Sequence, residues 1–386
     1  MSTNTPPLSI RDANAAPFID LTILAEALQA TPEPLYLFRN YVSTKYGPKS
    51  AGKGSKIQVD RLKPLASPDP DNLDAYIAGD TRNATPINSA SDMQALDWGS
   101  VTIQVKRRRM PKPVAEKFET EQLSQVDIMM GHGISLRRNY NEFLDDFVRE
   151  AYRSSVCTNI FGGSLRASIG AMQNNPTTDG LNVAMLKEYK RRAAALFLRA
   201  FGSQPGSDMQ ALTGSYLAVT DQVGINELSE DPLWRDYVIR DPSGEKGRLV
   251  KGYIGEYEQI TVVKSDRMRT VSVGPSGSPF NGHEILFTAS DPTLIDPGEN
   301  GVQGFVGENP VVLAMVGLPE VKKANEDNFG EDLIYTWFQT CGVKALEELS
   351  STDAALLTAK LGGNLDVSKG QCATNSSRFI HRGYFV

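Results

Sequence analysis

The segment Gly47-Pro-Lys-Ser-Ala-Gly52-Lys53-Gly54 sets two glycines and a lysine where a phosphate-binding loop carries them. In that loop the eighth residue is a hydroxyl that ligates magnesium, and here it is Gly54. The loop must also leave a strand and open a helix, so that backbone amides and the helix dipole face the phosphate. The residues that follow, Lys56-Ile57-Gln58-Val59, read instead as a strand, so the segment reads as a hinge. The three histidines, His132, His283 and His381, include no pair at helical spacing, which argues against a histidine-based metal site. Cys157 is placed at a helix end and Cys341 in an apolar strand, where buried, inert thiols are expected, and nothing brings a histidine near either. The adjacent carboxylates Asp145 and Asp146 diverge on a helix and read as a solvated face. No G-x-S-x-G, H-E-x-x-H or G-x-G-x-x-G constellation occurs. The sequence therefore predicts no catalytic residue, no cofactor and no metal.

The strongest charge feature is Lys106, Arg107, Arg108 and Arg109, with Lys112 and Lys117 nearby. Such a cluster can contact phosphates or the carboxylates of a neighbouring subunit. The second reading is preferred, because Asp plus Glu (46) exceed Lys plus Arg (40) and the net charge is −6. A dedicated nucleic-acid binder is usually basic.

The elements that must carry these residues follow from pattern. The 386 residues, 40% of them apolar, suffice for two or three domains with a sizeable core. No apolar run reaches the ~20 residues of a membrane span. The start, Met-Ser-Thr-Asn-Thr-Pro-Pro, has neither the basic head nor the apolar stretch of a signal peptide. With only three cysteines, this predicts synthesis in a reducing cytoplasm. Residues 1–45 read as an extended arm with one short helix after Asp20. Ile57 and Val59 alternate with polar residues, as do Val101, Ile103 and Val105, giving two strands. About forty polar residues with four prolines separate them, so 46–112 reads as a long hairpin leaving the body of the subunit.

Residues 134–160 read as one helix of about 40 Å, with a break upstream at Gly131 and Gly133. Its apolar face would be Leu136, Tyr140, Phe143, Leu144, Phe147, Val148, Ala151 and Tyr152, with Asp145, Asp146 and Arg149 on the polar side. Residues 163–318 read as a mixed domain. It holds a helix over 186–201, a short helix at 231–239, and strands at 257–264, 283–289 and 309–318. Residues 351–376 read as a loop and 378–386 as a terminal strand.

Three stretches carry a family resemblance. One is the long helix that stops before Gly162-Gly163. A second, from Gly247 to Ser265, is similar to a "G-x-I-G-x-Y-x-G-I-x-V-V-x-S" segment. The third, Tyr335-Thr-Trp-Phe-Gln-Thr-Cys-Gly342-Val-Lys344-Ala, is similar to a "V-G-W-K-x-x-x-A" strand. In the second, Gln259 replaces the family's second glycine; in the third, Val343 replaces its tryptophan. Together and in this order they resemble the major capsid proteins of tailed bacteriophages, of the Hong Kong 97 type and closest to the large-podovirus branch.

The resemblance implies an α+β fold with an N-terminal arm (1–45) and an extended β-hairpin loop (46–112). A peripheral domain with a spine helix (113–162) would receive return strands from 319–350. An axial domain would span 163–318, and a C-terminal loop and strand 351–386. It implies a structural protein that assembles as hexamers and pentamers into an icosahedral virion head around double-stranded DNA, bound without sequence specificity. Assembly would take place in the host cytoplasm, with portal, scaffolding and cement proteins as partners and no membrane. An encapsulin-like nanocompartment shell and a soluble α/β enzyme are the alternatives.

The expected contacts between subunits are of two kinds. Leu35, Phe38 and Tyr41 of the arm would pack on a neighbour. The hairpin tip, with Asp69, Asp71, Asp74 and Asp80 in a stretch of net charge −5 over 66–98, would land on a neighbour's Lys106, Arg107, Arg108 and Arg109 or its Arg137 and Arg138.

Overall fold

The computed structural model describes residues 37–47, 56–62, 98–110, 114–117, 127–202, 214–240, 253–295, 306–326, 332–364 and 371–386. The short helix after Asp20, residues 48–55 of the glycine hinge and the hairpin tip lie outside these residues.

Three sheets form the frame. The first contains β1 (Ser43–Gly47), β4 (Lys106–Arg109), β5 (Val114–Lys117), β14 (Val311–Glu326) and β15 (Asp332–Ala345). Their order is β1-β14-β15-β4, and β5 also pairs β15. β14 and β15 are long antiparallel neighbours, from Val311 opposite Ala345 to Glu326 opposite Asp332. The expected buried strand at 309–318 is present, but it continues to Glu326, so a domain boundary at 318 falls inside one strand.

The second sheet is the hairpin base. β2 (Lys56–Leu62) pairs β3 (Trp98–Gln104) antiparallel, as a hairpin requires, with Ile57 opposite Ile103 and Val59 opposite Val101. These four side chains and Val105 are buried against Val312, Ala314 and Leu346. Period-two alternation thus places one face of the hairpin on the body. Its outer neighbours, β12 (Asp291–Ile295) and β13 (Val306–Glu308), come from a stretch read as loop.

The third sheet holds β6 (Val156–Phe161), β16 (Ser377–Phe385), β11 (Phe280–Thr288), β7 (Tyr216–Thr220), β9 (Ile260–Lys264) and β8 (Tyr253–Tyr257) in that order. The small β10 (Val271–Val273) sits on β11. β16 is the expected terminal strand. The single strand expected at 257–264 is a hairpin whose turn residues Glu258 and Gln259 have φ of 43° and 72°. Both central residues of a tight two-residue hairpin turn need positive φ, which is why a glycine suits the position of Gln259.

The long helix, α1, runs Asp127–Ser154, 28 residues and about 42 Å. It passes through Gly131 and Gly133 without interruption, because each glycine still donates and accepts within the ladder. It also ends earlier than expected. Ser154 and Ser155 are followed by Val156, Thr158 and Ile160, whose β-branched side chains favour a strand, and Cys157 is therefore a strand residue. The expected apolar face is found: Leu136, Tyr140, Leu144, Val148, Ala151 and Tyr152 are buried, with Phe143 and Phe147 half-buried beside them. The expected polar side is not all polar surface, since Asp145 and Arg149 are buried. Trp337 on β15 is the knob under the helix. Its ring is 5.3 Å from Tyr140 edge-on and 5.0 Å from Phe143, and its Nε1–H donates to Asn139 at 3.0 Å.

Among the described residues four longer helices follow: α2 (Val183–Ala195), α3 (Gln222–Glu230), α4 (Pro232–Arg240) and α5 (Ser351–Asn364). α2 starts at its cap Asn182 and stops at Ala195 rather than 201. Phe197 takes φ 54° there, and Leu198 N–H turns back to Ala193 O at 2.8 Å. The apolar run beyond Ala195 mimics a continued helix, which explains the longer expectation. α5 replaces most of the expected loop at 351–376. Gly162, at φ 63°, turns the chain after β6; a Cβ there would lie 2.9 Å from Asp179 Cα.

Candidate assembly surfaces

The basic strand β4 pairs with β15, Lys106 opposite Cys341 and Arg109 opposite Phe338. The pleat sends successive side chains to opposite faces. Arg107 lies over the Phe338 ring at 4.5 Å, in an ion pair with Glu320 at 3.2 Å, both partners exposed. Lys322 approaches the same ring at 5.6 Å and the same carboxylate at 3.7 Å. Arg108 points to the helix face, over Phe147 at 5.2 Å. Lys106 and Arg109 are exposed. A carboxylate of its own chain thus already engages Arg107, which the sequence assigned wholly to a neighbour.

On α1, Arg138 is exposed and pairs with Glu142 one turn along at 3.1 Å, and Arg137 is half-buried. Exposed pairs of this kind contribute about 0–1 kcal/mol and exchange partners readily. Asp69, Asp71, Asp74, Asp80 and Leu35 lie outside the described residues.

Phe38 and Tyr41 require a correction. Both are buried in their own subunit, with Leu37 and Val42, against α1. The Phe38 ring is 6.0 Å from that of Tyr152, whose hydroxyl donates to Tyr41 O. Asp145 receives the Arg39 amide at 3.1 Å and also the Phe38 amide, while the Arg39 guanidinium donates to Asn141. Burial pushes the Asp145 carboxyl up to about 6, against the two amide bonds that favour its charge. β1 then runs parallel to β14, Ser43 opposite Val312. The last residues of the arm are therefore anchored at home, a contact between positions about a hundred apart that no local pattern announces.

The C-terminal half of α1 is clamped to the seven-stranded sheet and its loops. Arg153 forks onto Glu284 of β11 at 2.7 Å through both Nε and Nη2. Arg267 pairs with Asp146, and Arg269 with Glu150 at 3.3 Å. On α2, Arg192 is buried against β6 of that sheet and satisfied by Glu188 (3.0 Å), Thr158 (3.0 Å) and Asn159 O (2.8 Å). Its neighbour His381, fully buried, is held neutral down to about 3 by desolvation and then by Arg192. Among the described residues, the most exposed large apolar side chains, Phe197, Leu233, Leu318 and Leu356, are scattered among three helices or their ends and one strand.

No protein-family model and no curated protein matches the sequence. Solved structures do. The capsid of Ralstonia phage GP4 is 12% identical, with TM-score 0.54 over 82% of this chain and 88% of that one. The capsid asymmetric unit of Cyanophage Pam1 is 15% identical, with TM-score 0.54 over 90% of this chain and 88% of that one. At these identities the likeness establishes the fold: this chain has the α+β, Hong Kong 97-like fold of tailed-phage capsids, as the sequence resemblance implies.

Proposed function

We propose that this chain is the major capsid protein of a tailed phage, assembling as hexamers and pentamers into the icosahedral virion head that encloses double-stranded DNA. The observation that carries it is the phage-capsid fold, which accounts for nearly the whole chain and leaves no large remainder for another activity. The role is structural, not enzymatic. Portal, scaffolding and cement proteins are its expected further partners, and the host cytoplasm the place of assembly.

The parts divide accordingly. The sheet of β14 and β15 under α1 is the peripheral domain, and the seven-stranded sheet with α2, α3 and α4 is the axial domain. Residues 46–112 form the extended loop. Its acidic tip lands on a neighbour's basic surface, formed by Lys106, Arg107, Arg108 and Arg109 together with Arg137 and Arg138. Single exposed pairs are weak, but their repetition around a closed lattice fixes register and steers encounter. A mildly acidic subunit also limits adhesion of packaged DNA to the inner wall.

Sedimentation velocity of the purified chain, with negative-stain microscopy of the fastest boundary, tests the proposal. Closed particles of megadalton mass are expected. A chain that remains a small oligomer at every concentration and salt, with and without scaffold from the same source, would overturn it.

A further inference from the structure

We propose that Cys157 and Cys372 are a redox pair that closes to an intrachain disulfide on mild oxidation, with Cys372 as the thiol that meets the oxidant. Cys157 opens β6 and is buried, whereas Cys372 is half-exposed. The Ala373 amide donates to Cys157 O at 3.1 Å, so the peptide unit after Cys372 is bonded to the peptide unit after Cys157. That bond sets the two cysteines side by side, the adjacency a disulfide requires. The two thiols perturb one another, Cys157 pushed up and Cys372 drawn down, as close neighbours do. The Cys372 amide is fixed by Thr358 Oγ1 at 3.0 Å, which holds the residue against α5.

Two features separate this pair from the buried Cys341. First, Cys372 opens into a cleft of about 530 Å³ between α5 and the 371–374 segment, lined also by Ala355, Thr358, Gln371 and Thr374. A tripeptide-sized oxidant fits a space of that size. Second, the neighbouring Cys157 thiol, with the buried Arg192 guanidinium and against the opposing effect of burial, holds the Cys372 thiol below its ordinary range. The thiolate is the nucleophile in thiol–disulfide exchange. At Cys341 burial outweighs the nearby Arg108 guanidinium and pushes the thiol up to about 12.

The exchange with oxidised glutathione balances as follows. The Cys372 thiolate attacks one glutathione sulfur, forming a mixed disulfide and expelling one glutathione thiolate. The like charge that burdened Cys157 is then gone, and Arg192 remains beside it. The Cys157 sulfur attacks the Cys372 sulfur, forms the protein disulfide and expels the second glutathione. Two thiol protons and two electrons pass from the protein to the glutathione pair. The bond would staple the segment before β16 to β6, across a stretch where Ser377 N–H already meets Ser155 O at 2.8 Å.

The inference concerns the folded chain and is independent of the shell reading. The test treats the native full-length protein with oxidised glutathione, alkylates the remaining thiols and maps the peptides by mass. Wild type is expected to give a linked Cys157–Cys372 peptide and an unmodified Cys341. Cys157→Ser is expected to accumulate glutathione on Cys372, and Cys372→Ser to give neither adduct nor link. A wild-type chain that keeps a stable glutathione on Cys372 with Cys157 free would overturn the proposal. So would a native chain whose Cys372 stays unmodified where the unfolded chain reacts fully.

Discussion

The carboxylate of Glu284 is completely buried and lies in the fork of Arg153, each of its oxygens receiving one N–H at 2.7 Å. This one pair joins the end of the longest helix to the middle of the largest sheet. Arg382 stands 3.9 Å from the same carboxylate, too far to replace the fork. Arg153→Ala strands a buried charge and is expected to cost about 3–5 kcal/mol in denaturant unfolding. The double replacement Arg153→Met with Glu284→Leu removes the charge with its partner and is expected to cost less than the single change. Equal or greater loss in the double variant would show that the fork contributes net attraction beyond its own desolvation.

Asp145 predicts a pH dependence of unusual sign. Its folded-state carboxyl titrates at about 6, above the ordinary aspartate value near ~3.9 in the unfolded chain. Between those values the folded state binds the extra proton, so this group's contribution is present below pH ~4 and is lost as pH rises through about 6. The full swing is about 3 kcal/mol. Asp145→Asn keeps an oxygen for the Arg39 and Phe38 amides and removes the titration. Its stability relative to wild type should therefore grow from pH 4 to pH 7 and level off above. A flat difference across that range would mean the carboxylate is solvated in the folded chain.

The arm can be cut in two informative places. Leu37, Phe38, Tyr41, Val42 and strand β1 are part of the subunit core, so removing residues 1–45 should destabilise the monomer as well as its assembly. Removing residues 1–36 spares every one of these groups. That shorter truncation is expected to keep wild-type circular dichroism and melting while losing assembly in sedimentation. Normal shells from it would remove the arm from the list of contacts.

Reversing Arg107 and Arg108 to Glu should impair assembly most at low salt, where exposed charges are least screened. Asp→Lys exchanges in the 66–98 tip should partly restore it. Melting of the monomer is the control, because Arg107 also serves Glu320 and Phe338, and Arg108 serves Phe147. Assembly equal to wild type at both low and high salt would mean that backbone pairing or apolar contacts hold the loop.

Local pattern made part of this fold legible. Alternation marks Ile57 with Val59 and Val101 with Ile103 as the inward faces of two strands, and apolar content marks β16. Helical periodicity gave the buried face of α1. Where a helix ended in more apolar residues the pattern ran on, so α1 read into β6 and α2 into the turn at Phe197. α5 escapes the pattern although Ser350 caps the Asp353 amide ahead of Ala354, Leu357 and Leu361. The anchoring of Phe38 and Tyr41, the burial of Asp145 and the thiol pair depend on partners more than a hundred residues away. No window of sequence contains them. The one motif departure with a backbone meaning is Gln259, which occupies a positive-φ position that the family fills with glycine.

The most direct measurement is a three-dimensional electron-microscopy reconstruction of particles formed by the purified chain with its scaffold. The account predicts a closed icosahedral shell of hexamers and pentamers, with the seven-stranded sheet around each capsomer axis and α1 along the capsomer's flank. It also predicts the extended loop lying over the neighbouring subunit's β4 and α1. A closed shell is the central claim, and its absence, or a shell whose capsomer axes are lined by β14 and β15 instead, would contradict it.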